Sequence, residues 1–213
     1  MPLILPGNVG SATAATGYDV ANSCRFNDDD SAYMHKTPGS ASNRKTFTIS
    51  AWVKRSDIAS SDIIFGAGSN PEFIVGWQNT NTDQIGILTG DGNILLTNRL
   101  YRDISAWYHI VVAVDTTQAT DTNRCKLYVN GVQETSFAST SYPSQDADLE
   151  VNNTVAHEIG RFPRITSRYY NGYLSEFVLI DGSALAADQF GEFDSDSGIW
   201  KPIDVSGLTF GTN

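Results

Sequence analysis

The stretch from residue 107 to residue 133 constrains the fold more than any other part of the chain. It begins with an apolar, aromatic-led run, WYHIVVAVD, and after a polar loop continues with a second alternating run, KLYVN. The second run ends in Asn130-Gly131, a dipeptide that tolerates the positive φ of a tight hairpin turn. The stretch therefore predicts two antiparallel strands and a tight turn, which are elements of an all-β fold.

Short runs of the same kind follow one another along most of the chain, separated by Gly, Asn, Asp, Ser and Pro. We predict strands over residues 20–26, 32–36, 46–54, 62–66, 72–78, 84–88, 94–98, 107–115, 124–130, 132–137, 156–161 and 170–180. The one predicted helix spans residues 183–190, where Ser183 can act as the N-cap. About a dozen strands at this spacing predict an all-β, two-sheet antiparallel jelly-roll sandwich with one short helix near the C-terminus.

The charge balance limits the partners of the chain. Aspartate and glutamate outnumber lysine and arginine by 24 to 14, which gives a formal net charge of −10. Nucleic-acid backbones and anionic membranes select basic surfaces, so neither is expected as a partner. No stretch approaches the roughly 18 apolar residues that a membrane-spanning helix needs.

The two cysteines are Cys24 and Cys125. Strand alternation puts Cys24 on the same face as Phe26, and Cys125 on the same face as Leu127 and Val129. We predict two buried thiols that act as small hydrophobic side chains. A disulfide is the alternative, and it requires the two strands to lie within bonding distance.

Four ordered motifs carry a resemblance to a known family. They are SCRFNDDDSAYM, TFTISAWVKR, the hairpin stretch and NGYLSEFVLIDGSAL, and together they span residues 23–185. The chain thereby resembles the laminin G-like branch of the concanavalin A-like lectin/glucanase superfamily. It departs from the family pattern at Cys24 and Cys125, where Leu or Val is frequent, and at Ser175, where Asp is frequent.

The segments MPLILPGNVGSATAATGYDVANS, RFNDDDSAYMHKTPG and FGEFDSDSGIWKPI are similar to those of tail and structural proteins of marine bacteriophages, including phages of cyanobacteria. This resemblance implies a virion protein that is made in the host cytoplasm. Composition predicts the domain bounds: a Gly- and Ala-rich arm of low charge at residues 1–18, a sandwich domain at residues 19–190 and an acidic, Gly-rich C-terminal extension at residues 191–213. The resemblance to phage tail and structural proteins also implies a further region beyond this extension.

The turn after the first predicted strand holds the candidate metal ligands. Asn27, Asp28 and Asp30 carry side-chain oxygens, and the hard cation Ca²⁺ prefers oxygen ligands. Glu176 is the fourth candidate, because it alternates with Leu174 and two further apolar residues and so is predicted to face the interior. The alternatives are a solvated turn for the first three residues and a salt bridge from Glu176 to Arg25 or Arg55.

Sugars stack their C–H faces on exposed aromatic rings that are flanked by amide or charged groups. Three predicted loop segments have this composition. Their candidate sugar-binding residues are Trp77, Gln78, Asn79, Tyr101, Arg168, Tyr169 and Tyr170. The alternative for each ring is packing within the sandwich. Trp52 and Trp107 lie in strand motifs and are predicted to be core residues.

Catalytic motifs are lacking in the sequence. The paired-carboxylate motif ExDxxE of the superfamily's hydrolases does not occur. The segment that starts at Glu192 and Asp194 is similar, but it has Ser197 where the motif needs its last glutamate. The three histidines form no metal-binding pair, and no GxSxG elbow occurs. His109 lies inside an apolar run and is predicted to be a buried histidine with satisfied hydrogen bonds.

These observations favour a non-enzymatic tail or fibre-associated domain of a phage virion that binds host-surface glycans. Weak single sites gain avidity from repeated copies, so a homo-oligomer such as a trimer is expected, with other virion proteins as neighbours. One alternative is a purely structural interaction module, such as a capsid decoration or a tail spacer. A polysaccharide depolymerase is a further alternative, disfavoured because it needs two carboxylates in a cleft.

Overall fold

The computed structural model describes residues 18–58, 62–78, 83–90 and 92–212, with the backbone alone described at Gln78. The predicted arm, except for Tyr18, and the candidate sugar ligand Asn79 lie outside these residues. The only helices in these ranges are two single 3-10 turns, Asp121–Asn123 and Ala187–Gln189. None of the helices among the described residues is long and apolar enough to cross a membrane.

Fifteen strands form the described structure. In chain order they are Cys24–Phe26 (β1), Met34–Lys36 (β2), Thr46–Arg55 (β3), Ile63–Gly68 (β4), Glu72–Gln78 (β5), Gln84–Thr89 (β6), Gly92–Leu100 (β7), Tyr108–Asp115 (β8), Cys125–Val129 (β9), Val132–Gln133 (β10), Phe137–Thr140 (β11), His157–Ile159 (β12), Gly172–Asp181 (β13), Gly191–Phe193 (β14) and Trp200–Pro202 (β15). The prediction of an all-β, two-sheet antiparallel jelly-roll sandwich is confirmed.

The two large sheets pack face to face. The six-stranded sheet has the order β1-β13-β3-β8-β9-β10, and the seven-stranded sheet has the order β11-β7-β6-β5-β4-β12-β2. Alternate residues of β3 and β8 point between the sheets, where Phe47 packs edge-on against Phe73 of the other sheet with ring centroids 5.4 Å apart. Burial of this alternating apolar set fixes the register of the strands.

The hairpin stretch lies at the centre of the six-stranded sheet. β8 pairs with β9, with Val112 opposite Leu127, and the chain then turns into β10. Asn130 and Gly131 have φ values of 49° and 79°, as the predicted turn requires. The side-chain oxygen of Asn130 also accepts a hydrogen bond from the His109 backbone N–H at 2.7 Å, which ties the turn to β8.

The C-terminal segment forms a third layer. Residues 185–208, here named the C-terminal strap, cover the outer face of the six-stranded sheet. Strap residues Ala187 and Phe190 are buried against Val111 and Val178, which point away from the main core. The helix predicted over residues 183–190 is wrong apart from the 3-10 turn. One cause is that the Thr48 hydroxyl donates to the Ser183 carbonyl and accepts from the Leu185 N–H, each at 2.7 Å, which holds this segment in a non-helical conformation.

Under the strap, His109 lies between two tryptophans. Its ring stacks on Trp52 with centroids 4.8 Å apart and on Trp200 with centroids 6.0 Å apart. The Trp200 indole N–H donates to Nδ1 of His109 at 2.9 Å, so Nε2 carries the proton and donates to the Ser50 hydroxyl oxygen at 2.9 Å. The prediction of a buried histidine with satisfied hydrogen bonds is confirmed.

The burial of His109 predicts an acid-side loss of stability. Burial lowers the pKa of His109 to about 3, whereas a histidine in the unfolded chain has a pKa of about 6.5. Between these values only the unfolded state takes up the proton. His109 therefore stabilises the fold above pH ~6.5, and this contribution is lost as the pH falls toward 3. From pH 7.5 to 4.5 we expect the wild type to lose about 2–3 kcal/mol of unfolding free energy more than His109→Gln does.

Urea unfolding at several pH values measures this difference. His35→Gln is the matched control, because His35 is exposed on β2. Equal pH slopes for the wild type and His109→Gln would contradict the assigned role of His109.

The two cysteines differ in environment. Cys125 is buried in the main core, where desolvation raises the pKa of its thiol to about 12, so its predicted burial is confirmed. The prediction of a buried Cys24 is wrong, because Cys24 is exposed on the edge strand β1. Both thiols are free, which rules out the alternative of a disulfide between them.

Candidate functional site

Two of the predicted sugar-stacking rings belong to the core. Trp77 and Tyr101 are only 1% and 2% exposed, so neither can stack on a ligand. The Arg55 guanidinium lies 4.9 Å from the centre of the Trp77 ring, and the Trp77 indole N–H donates to the Tyr101 carbonyl at 3.3 Å. The prediction that these rings form an exposed sugar subsite is wrong.

Arg55 is the centre of a buried ionic cluster. Its Nε donates to Asp62 at 2.7 Å and its Nη1 donates to Asp83 at 2.9 Å, and all three residues are buried. Burial raises the pKa of Asp62 to about 6, although the charge of Arg55 acts in the opposite direction. Arg102 contributes a second cation from the surface by donating to Asp83 at 2.9 Å. This cluster stabilises the loops at one end of the sandwich and is not open to a ligand.

The segment that holds Arg168, Tyr169 and Tyr170 is divided between core and surface. Tyr170 is fully buried and packs edge-on against Phe26, so the prediction that it contacts sugar is wrong. Tyr169 and Arg168 are half-buried. The Tyr169 ring lies 6.3 Å from the ring of Tyr33, which sequence reasoning did not select.

The Tyr33 patch is formed by Tyr33, His35, Arg161 and Tyr169, and a cation lies over its Tyr33 ring. The Arg161 guanidinium lies over the Tyr33 ring at 3.7 Å, and Glu158 holds this guanidinium through its Nε at 2.7 Å and its Nη2. The His35 ring lies 5.9 Å from the same ring. One face of Tyr33 is thus occupied by a cation, although the residue is 38% exposed, so the patch is a weaker candidate for stacking than a groove with two tryptophans.

The candidate metal ligands do not form a closed site. The Asn27 side-chain amide donates to Asp30 at 2.7 Å, and Asp28 is part of the same turn. Within the described ranges, no group of three or more His, Cys, Asp and Glu side chains could hold a metal ion. Calcium binding by Asn27, Asp28 and Asp30 stays a prediction.

Glu176 lies at a β-bulge and not in regular alternation. Its φ is 48°, and the pairing of β13 with β3 shifts register between Ser175 and Val178. The bulge leaves Glu176 half-buried, where it accepts a hydrogen bond from the Tyr18 hydroxyl at 3.0 Å. The prediction that Glu176 faces the core is therefore wrong. The predicted bridge is also wrong for both arginines, because Arg55 binds aspartates and Arg25 donates to Asn171 and the Gly172 carbonyl.

An open aromatic groove lies at one end of the six-stranded sheet, and we name it the tryptophan groove. It has a volume of about 360 Å³. Its lining consists of two tryptophans, three small polar residues and three apolar residues, namely Trp52, Trp107, Asn22, Ser23, Ser175, Val20, Ala21 and Pro202. The prediction that Trp107 is a core residue is wrong, since its side chain is 36% exposed.

Strand alternation positions both tryptophans. Ala51 and Val53 point into the core, so Trp52 between them points outward, and Trp107 precedes the inward-facing Tyr108. Trp52 stacks on His109 and is half-buried, and its indole Nε1 is buried with no hydrogen-bond partner among the described residues. Opposite Trp52 on β13, the Ser175 hydroxyl donates to the Asn22 carbonyl at 2.7 Å, which fixes residues 20–23 as one wall of the groove.

The sequence contains a signal for this groove. In WYHIVVAVD the residues at alternate positions from Tyr108 face the core, so Trp107, His109 and Val111 share the outer face. The outer face is also apolar because the strap covers Val111 and His109. An apolar pattern on both faces predicts a strand that is buried along its whole length. The pattern does not show that the strap covers only part of the outer face and leaves Trp107 exposed.

Comparison with known proteins agrees with the sandwich fold. A family model described as the concanavalin A-like lectin/glucanases superfamily matches residues 27–189, most of the chain. The chain belongs to this superfamily. The sequence matches none of the curated proteins that were searched.

Solved structures of low identity share the fold. Domains LG4-5 of the mouse laminin alpha1 chain match at TM-score 0.53 and 14% identity, covering 88% of this chain and 46% of that one. A putative carbohydrate binding protein from Bacteroides ovatus matches at TM-score 0.51 and 20% identity, covering 84% and 51%. Domain 4 of an extracellular arabinanase from Geobacillus stearothermophilus, in complex with arabinotriose, matches at TM-score 0.50 and 15% identity, covering 79% and 84%. The chain thus spans about half of the laminin and Bacteroides chains.

Proposed function

We propose that this chain is a non-catalytic glycan-binding domain and that the tryptophan groove is its binding site. The observation that carries the proposal is an open groove with two tryptophans, one of them 36% exposed, beside the polar side chains of Asn22, Ser23 and Ser175. Flat aromatic rings take the C–H faces of a sugar, and the polar groups fix its hydroxyls. A bound saccharide and a carbohydrate-binding description among fold relatives support the same ligand class.

The phage-like sequence segments support a proposal for the biological setting. We propose a tail or fibre-associated protein of a phage virion, whose ligand is a glycan of the host surface. The groove is open to solvent, so we expect a single site to bind weakly, and several copies on one particle would raise the avidity. A homo-oligomer such as a trimer, contacting other virion proteins, fits this requirement.

A glycan array probed with wild type and Trp107→Ala tests the proposal. We expect Trp107→Ala to weaken binding at least about tenfold, because the exposed indole supplies the stacking surface. Tyr169→Ala serves as the matched control from the Tyr33 patch and is expected to bind as the wild type does. Binding that is lost with Tyr169→Ala and kept with Trp107→Ala would transfer the site to the Tyr33 patch.

The alternative function is a purely structural virion module. It is favoured by an apolar cavity of about 430 Å³ between the two sheets, where Met34 and Phe210 are exposed. An array with no binding, together with a stable oligomer in light scattering, would favour this alternative.

A further inference from the structure

One edge of the long strand β13 has a gap in its pairing. β1 pairs with β13 only from Gly172 to Leu174, and no other described strand lies on that side of residues 177–180. At Asp181 the edge is used again, because the Asp181 N–H donates to the Phe210 carbonyl at 2.9 Å. The six-stranded sheet therefore has a short gap between β1 and the C-terminal segment.

Leu179 presents backbone hydrogen-bonding groups to this gap. Successive residues of a strand direct their N–H and carbonyl groups to opposite edges. The Gly182 N–H donates to the Thr46 carbonyl of β3, so the groups of Asp181 and of Leu179 point away from β3. Among the described residues these groups of Leu179 have no backbone partner. An unpaired edge of this kind can accept a further strand.

The gap borders the apolar cavity of about 430 Å³, which we name the edge cavity. Both sheets contribute to its apolar lining, which includes Met34, Phe65, Ile159, Phe177, Leu179 and Phe210. Its polar lining consists of His35, Lys36, Asn152 and His157, and no carboxylate lines it. Met34 and Phe210 are 48% and 41% exposed, so this apolar surface is open to solvent. An apolar segment without negative charge fits such a cavity.

The N-terminal arm contains a segment of this kind. Residues 1–17 include no Asp, Glu, Lys or Arg, although charged residues make up 18% of the whole chain. Residues 3–5, with the sequence LIL, are the arm's only run of three large apolar residues, and they lie between Pro2 and Pro6. Proline cannot donate to a β-ladder, so a strand formed by this run stays short. A short apolar strand matches the length of the gap.

The arm joins the described structure beside the gap. The Tyr18 hydroxyl donates to Glu176 at 3.0 Å, and Glu176 precedes Leu179 by three residues, about 10 Å along a strand. Residues 7–17 connect the apolar run to Tyr18, and a segment of this length reaches up to about 35 Å when extended. The connection is long enough for residues 3–5 to reach the edge cavity of their own chain.

We propose that residues 3–5 bind in the edge cavity of the same chain as a short strand that pairs with β13 at Leu179. The added strand fills the gap between β1 and Phe210, and its side chains face the cavity and the outer face of the sheet in alternation. It also closes the cavity that otherwise favours the purely structural alternative. This inference is independent of glycan binding in the tryptophan groove.

Hydrogen exchange of the Leu179 amide, followed by NMR, tests the docking of the arm. We expect the double variant Ile4→Asp/Leu5→Asp to exchange this amide at least about tenfold faster than the wild type does. Neighbouring residues of a strand face opposite sides, so one of the two carboxylates would face the apolar cavity, and the strand would be released. Equal exchange rates in the wild type and this variant would overturn the proposal.

Two controls keep the result specific. The double variant Asn8→Asp/Val9→Asp adds the same charge to the arm outside residues 3–5, and we expect it to exchange Leu179 as the wild type does. The amide of Val112 in the central strand β8 reports opening of the whole domain, and its exchange should be the same in all three proteins. Equal acceleration of Leu179 by both double variants would overturn the proposal, since the effect would then come from charge alone.

Dilution separates the chain's own arm from the arm of a second copy. For docking within one chain, we expect the protection of Leu179 to be independent of protein concentration. Protection that falls on dilution, together with a dimer in light scattering that Ile4→Asp/Leu5→Asp abolishes, would assign the cavity to a second copy and overturn the proposal.

Discussion

Replacement of Arg55 by methionine is expected to lower the free energy of unfolding by about 3–5 kcal/mol at neutral pH. The substitution keeps an unbranched side chain of similar length but leaves Asp62 and Asp83 buried without their shared cation. It also removes the guanidinium that lies 4.9 Å from the centre of the Trp77 ring. Urea unfolding monitored by tryptophan fluorescence measures the loss.

Two comparisons isolate the buried charge. Arg102→Met removes the partner of Asp83 whose side chain is 57% exposed, and we expect a loss below about 1 kcal/mol. The loss in Arg55→Met should shrink at lower pH, because Asp62, whose pKa is already raised to about 6, takes up a proton in the folded state. Equal unfolding midpoints for the two arginine variants would contradict the structural role of the cluster.

Trp200→Ala is expected to destabilise the domain by about 3 kcal/mol. The Trp200 ring fills a site that two glycines keep open, since a Cβ at Gly131 or Gly191 would lie 2.3 Å or 2.6 Å from its atoms. Its removal leaves a cavity under the strap and takes the hydrogen-bond donor from Nδ1 of the buried His109. Trp200→Phe keeps a ring without the donor, so its loss should be smaller.

Ile199→Ala is the matched control for the strap. Ile199 is 67% exposed beside Trp200, and its substitution should change the unfolding free energy by less than about 0.5 kcal/mol. If Trp200→Ala unfolded at the same urea concentration as Ile199→Ala, the strap would not be a packed layer.

The elements that were predictable from sequence depend on local chemistry. The Asn130-Gly131 turn and the bounds of β5 follow from turn residues and from apolar runs. The alternation of apolar residues on β3 and β8 follows from the same patterns. It determines which side chains lie between the two sheets.

The predictions that were wrong concern side chains whose environment is set by residues distant in sequence. Trp77 is buried because Arg55 and Tyr101 cover it, and Trp107 is exposed because the strap leaves its end of the sheet open. Glu176 does not face the core because the strand bulges between Ser175 and Val178, and the local sequence gives no signal for this bulge. The candidate site therefore moved from the predicted loops to a strand end and the segment of residues 20–23.

The four tryptophan indole N–H signals test the central claim most directly. Trp77 donates to a carbonyl inside the core and Trp200 donates to His109, whereas Trp52 and Trp107 line the groove. In a titration with a glycan selected on the array, followed by indole NMR, we predict that the Trp52 and Trp107 signals shift and that those of Trp77 and Trp200 stay in place. Glycan binding with all four indole signals unchanged would contradict a binding site in the tryptophan groove.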